Sequence, residues 1–147
     1  MINFQFNDNK LQFSILNYQF PEGNNNEYDR NWLMINIIAK KNDLEWTKSD
    51  PSLLTWEVKE IINWFSLLSK NNNPKNKELT FIEPNIVFEY NKNENDYEIK
   101  IKFAFELLPN GWNQEKECFL IFKLSSSELK MISYEFKNEL EKYPFRK

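Results

Sequence analysis

Tyr97-Glu98-Ile99-Lys100-Ile101-Lys102-Phe103 is the stretch that decides the fold. Apolar side chains fall on every second residue with charges between them, the period of a strand with one buried and one wet face. The alternation reaches Phe105. Upstream, Asn91 to Asp96 is hydrophilic and reads as a hairpin tip, with Ile86-Val87-Phe88 as the strand before it. Leu79-Thr80-Phe81-Ile82 is a further strand-like run, cut off by Pro84, which has no ladder donor and so marks an edge, bulge or crossover. Downstream, Phe119-Leu120-Ile121-Phe122 reads as another buried strand.

The first third repeats the pattern. Ile2, Phe4 and Phe6, then Leu11, Phe13 and Ile15, alternate on either side of Asn7-Asp8-Asn9-Lys10, which predicts a hairpin. Pro21 to Arg30 is a polar loop. Trp32-Leu33-Met34-Ile35-Asn36-Ile37-Ile38-Ala39 is apolar on nearly both faces and reads as a central strand covered above and below. Lys40 to Asp43 is a turn, after which Leu44-Glu45-Trp46-Thr47 is extended again.

Two helices interrupt the strands. Asp50-Pro51 reads as a helix start, followed by a stripe of Leu54, Val58, Ile61, Ile62, Phe65 and Leu68. Glu57, Lys59, Glu60 and Asn63 fall on the opposite, solvent side. Lys70 to Glu78 is a polar loop. Ser125 and Glu128 have capping-box spacing, and Leu129, Ile132, Phe136, Leu140 and Tyr143 make a stripe that Pro144 ends. The expectation is an α+β domain over residues 1–147, a mainly antiparallel sheet of about seven strands with two amphipathic helices.

Composition narrows the function. The 147 residues include 13 Phe, 6 Tyr and 5 Trp, enough aromatic surface to build a core. There is no His, which removes the usual neutral-pH base and every His-containing metal site. One Cys, Cys118, forms no internal disulfide and no thiolate zinc site, and a reducing cytoplasm is the expected home. Two glycines far apart make no phosphate cradle, and no D-x-D-x-D-G loop offers a calcium site, so no cofactor or metal is expected. No apolar run is long enough for a membrane span, and the opening residues alternate instead of forming a secretory leader.

The net charge is −3. Residues 1–50 carry 5 basic and 7 acidic groups, residues 51–100 carry 6 and 8, and residues 101–147 carry 8 and 7. Without a concentrated basic face, nucleic acid is not an expected partner. The 22 Asn, clustered at Asn24-Asn25-Asn26 and Asn71-Asn72-Asn73, read as loop filler that accepts turn conformations.

Individual residues leave alternatives open. In Tyr28-Asp29-Arg30-Asn31-Trp32-Leu33, Asp29 either meets a cation on a partner or fixes the turn before a core strand. Glu83 and Asn85 flank Pro84 and either face a ligand or tie up backbone; Glu106 caps a turn or pairs with a cation. Glu83 with Glu106 as an acid–base pair needs a separation and environments that sequence does not supply. Cys118 reads as a core residue, and Trp112 as a cover for the core's end or an exposed anchor.

The order of several blocks resembles the WapI-type family of bacterial immunity proteins: Tyr28-Asp29-Arg30-Asn31-Trp32-Leu33, Leu53-Leu54-Thr55-Trp56-Glu57, Phe81-Ile82-Glu83-Pro84-Asn85, Glu106-Leu107-Leu108-Pro109 and Tyr143-Pro144-Phe145-Arg146. The resemblance covers residues 2 to 146. It implies a small cytoplasmic, non-enzymatic protein that binds and neutralises the C-terminal domain of a cognate polymorphic or contact-dependent toxin. The shared motifs then read as scaffold, and Trp32, Trp56 and Pro84 are not carried over as binding residues. The expected contacts are the acidic loops: Glu22, Glu27 and Asp29, and Glu94, Asp96 and Glu98. Facing a basic toxin, such carboxylates would accelerate encounter. A general interaction or assembly module and a carboxylate-dependent enzyme are the competing classes, and pairing of free edge strands leaves self-association open.

Overall fold

The expected alternation and turns produce strands in strict sequence order, each pairing with the next except where the chain passes from the fourth to the fifth. In the computed structural model, which describes residues 1–147, they form two four-stranded antiparallel sheets. The first holds β1 (Ile2–Phe6), β2 (Asn9–Tyr18), β3 (Trp32–Lys41) and β4 (Leu44–Leu54); the second holds β5 (Glu78–Leu79), β6 (Ile86–Lys92), β7 (Tyr97–Phe103) and β8 (Cys118–Leu124). Helix α2 (Thr55–Ser69) leads from the first sheet toward the second, and α3 (Ser126–Glu141) follows the last strand. The fold is α+β, with eight strands rather than seven, divided between two sheets.

Period two in β7 works as expected. Tyr97, Ile99, Ile101 and Phe103 are buried, while Lys102 on the other face bonds Glu89 of the adjacent β6 and Glu78 of β5 beyond it. Ile101 stands opposite Phe88 on one side and Leu120 on the other, so the inner row is continuous across the sheet. The inner faces and both long helices share one core. At its centre Phe65 of α2 stacks on Phe136 of α3 (ring centroids 5.9 Å), Phe13 of β2 meets Phe136 at 5.2 Å, and Phe4 of β1 meets Phe122 of β8 at 5.3 Å. Such ring pairs add about 0.5–1.5 kcal/mol each beyond area burial.

Several expectations are corrected. Strand β3 is covered on one side only: Leu33, Ile35, Ile37 and Ala39 are buried, whereas Ile38 is exposed and Met34 and Asn36 half-buried. Asp50-Pro51 begins no helix. Both lie in β4, an edge strand where a missing donor is tolerated, and Ser52 is the extra residue of a bulge between Pro51 and Leu53. The helix opens at Thr55, and Glu57 is only 4% exposed rather than solvent-facing. The strand expected over residues 79–82 shrinks to Glu78–Leu79, with Ile82 exposed in the following turn. Inside the loop over residues 21–30, Asn26 caps a short helix α1 (Glu27–Asn31), its side chain accepting from the Tyr28 and Asp29 amides. No helix is long and apolar enough to cross a membrane.

Candidate partner-binding surface

The sequence blocks singled out above meet in pairs. Asn31, fully buried, joins the first to the last: its Nδ2 donates to the carbonyls of Glu27 and Arg146, and its Oδ1 accepts from the Arg146 amide and the Thr55 hydroxyl. The Arg146 guanidinium donates to the carbonyls of Phe20, Pro21 and Arg30 and lies 3.6 Å from the centroid of the Tyr18 ring. Glu57 joins two others. One carboxylate oxygen accepts from the Leu54 amide at 2.9 Å and the other from the Ile82 amide at 3.0 Å, which fastens the start of α2 to the turn before β6. Burial raises the Glu57 carboxyl above its ordinary value, against the pull of these two bonds. Asn85 reaches back to Asp50 (2.7 Å) and Ser52 (3.1 Å). These contacts are internal.

A recess of about 480 Å³ lies beside this last cluster, lined by Asp50, Glu83, Phe105 and Glu106 among others. The structure therefore does bring Glu83 and Glu106 to one place. Both are solvent-exposed, so the contrasting environments that acid–base chemistry needs are not built. Phe105 is 63% exposed at φ 52°. Cys118 is 1% exposed, and burial pushes its thiol up to about 11, the setting of a core residue rather than a nucleophile. Trp112 packs against the core with its Nε1 bonded to the Lys116 carbonyl, as a cover rather than an anchor.

The larger opening lies between α2 and α3, a groove of about 780 Å³. The helices run antiparallel: Ser133 Oγ donates to the Ile62 carbonyl, and Trp56 at the start of α2 meets Phe145 just past the end of α3. Trp56, Ile62, Leu140 and Phe145 supply its apolar lining, with Lys59 and Lys137 on its banks. At the Trp56 end, Tyr28 of α1 stands edge-on to the indole at 5.2 Å. Tyr28 and Phe145 are 53% and 51% exposed, so two aromatic side chains crown a half-buried tryptophan. A half-buried Trp with an exposed Tyr beside it has the composition of a binding anchor.

The expected acidic contacts divide between the ends of this groove. Glu22 and Glu27 are exposed and Asp29 half-buried, in the loop and short helix that carry Tyr28 against Trp56. Glu94 and Asp96 are exposed at the tip between β6 and β7, and Glu98 lies on the outer face of β7 opposite Asn91 and Lys123. That tip belongs to the other end of α2, where the Tyr97 hydroxyl bonds Asn71, two residues past the helix. None of the six carboxylates is in an ion pair. Between those two ends the 15 residues of α2 span about 22 Å. The groove and its aromatics were missed because stripe-reading sorts residues into core and solvent faces and has no class for the flank between two helices.

Scanned against protein families, the chain matches the model of the Immunity protein WapI-like family over residues 1–144. It belongs to that family. Neither the curated proteins nor the solved structures gave a match. Every block on which the resemblance rested lies wholly or almost wholly within the matched residues; only the last two of Tyr143-Pro144-Phe145-Arg146 fall beyond them. A WapI-like chain is thereby an immunity protein in kind, from a family that is generally non-enzymatic.

Proposed function

We propose that this WapI-like protein neutralises the C-terminal domain of a cognate toxin in the cytoplasm by binding it, without turnover. Family membership carries the reading. The surface supports it: unpaired carboxylates at Glu22, Glu27 and Asp29 adjoin an aromatic crown of Tyr28, Trp56 and Phe145. Aromatic anchors supply affinity that persists in salt, and carboxylates steer a basic partner during encounter. A standard interface takes about 800 Å² from each partner, roughly a tenth of this molecule's 8337 Å². The first acidic loop is in contact with the toxin, while Glu94, Asp96 and Glu98 at the far end of α2 contribute through the long-range field. Neither nucleic acid nor membrane takes part.

The test is charge reversal measured by association kinetics with the toxin domain encoded beside this chain. Reversing Glu22, Glu27 and Asp29 slows association, flattens its salt dependence and speeds dissociation. Reversing Glu94, Asp96 and Glu98 slows association alone. Unchanged rates and salt dependence in both sets contradict the electrostatic part of the proposal.

A further inference from the structure

The α2/α3 groove has the shape and charge of a receptor for one kind of element. From Thr55 to Ser66 its α2 bank runs about 17 Å, or three helical turns. Its floor is apolar and its walls are helices already satisfied in their own hydrogen bonds, so it offers no free strand edge for an extended peptide to pair with. A helix laid lengthwise is the occupant that leaves no backbone group unbonded there.

Charge fixes the pattern that helix carries. One turn along each antiparallel helix from the Ser133–Ile62 bond, Lys59 and Lys137 come to the same level on opposite banks. Both are exposed and neither joins an ion pair. With one unpaired cation on each bank of an apolar floor, a carboxylate laid between the banks is the complementary charge. One further turn toward the aromatic end the sign changes, with Glu141 in the lining and Glu27 and Asp29 beyond it.

We infer that the groove receives an amphipathic helix of the toxin domain, about three turns long, bearing a carboxylate between Lys59 and Lys137 and a Lys or Arg one to two turns away toward Glu141. This rests on the reading of the chain as toxin-binding and names the element bound.

Two measurements on the full chain with the adjacent toxin domain test it. The first is affinity of the double variant Lys59→Glu/Lys137→Glu. The second is a photo-crosslinking amino acid replacing Asn63 on the groove's bank, compared with one replacing Thr47 on the open face of the first sheet. The inference expects at least tenfold weaker binding, recovered when the facing toxin carboxylate is changed to Lys, and crosslinks from position 63 to a single helical segment. Full affinity of the double variant, crosslinks only from position 47, or crosslinks from position 63 to a second copy of this chain overturn the groove assignment while leaving toxin binding standing. Absence of any complex with the wild-type chain overturns both.

Discussion

Asn31 and Arg146, 115 residues apart, hold each other by two bonds of 2.8 Å, Asn31 Nδ2 to the Arg146 carbonyl and the Arg146 amide to Asn31 Oδ1. An asparagine side chain so placed imitates one rung of a strand ladder. It pins the C-terminal segment across α1 and fixes where Phe145 stands against Trp56. Asn31→Ala leaves buried partners unsatisfied and costs about 1–3 kcal/mol. Asn31→Asp keeps the acceptor but loses both donors, and also destabilises. Denaturant midpoints measure the cost, and faster amide exchange over residues 143–146 checks that the tail is what comes loose.

Glu57 bonds two amides with two different oxygens, which a glutamine cannot do. Glu57→Gln therefore destabilises by about 1–3 kcal/mol despite removing a buried charge. The pH dependence has a definite sign. Burial raises this carboxyl in the folded state, so the folded chain holds the proton more tightly than the unfolded one. That contribution is complete below the ordinary carboxylate value and is lost as pH rises through the raised one. Stability curves for wild type and Glu57→Gln, taken from pH 4 upward (roughly the ordinary glutamate value), differ by this downward slope.

Four residues other than glycine have positive φ: Asn7, Asn42, Asn71 and Phe105. Three are asparagines, which tolerate that conformation; Phe105 is not suited to it and is largely exposed. Phe105→Asn relieves about 1 kcal/mol of left-handed strain and raises the denaturation midpoint. A lowered midpoint would mean that the ring packs more than its exposure indicates.

The thiol of Cys118, buried and raised to about 11, resists alkylation while the chain is folded. Iodoacetamide at pH 8 modifies the unfolded protein quickly and the native protein only at the rate of unfolding, as followed by mass. Cys118→Ser leaves toxin protection intact wherever the variant folds.

What was legible in sequence is what a single element decides alone. The alternation over residues 97–103, the Asn7-Asp8 hairpin and the Ser125–Glu128 cap each depend on local periodicity or spacing, and all three are realised. The errors come from tertiary context. Pro51 resembles a helix opening until an edge strand with free donors is available to hold it. Glu57 looks solvent-facing because it lies off the apolar stripe, yet the Leu54 amide at its own helix start and the Ile82 amide from the distant turn before β6 draw it inward. Trp32 to Ala39 looks doubly covered, but the chain leaves the outer face of the first sheet open, with Ile38 exposed. The acidic loops were readable as charge; that one adjoins a groove crowned by Tyr28 and Phe145 depends on the antiparallel seating of α2 and α3.

Protection by occupancy is tested most directly by titrating a cognate toxin domain with this protein and recovering the toxin afterwards. It predicts a 1:1 complex of nanomolar or tighter affinity, about −12 kcal/mol, with toxin activity falling in proportion to the protein added. Toxin separated from the complex and refolded regains its activity at unchanged mass. Lasting inactivation or a changed toxin mass produced by substoichiometric amounts of the protein would contradict it.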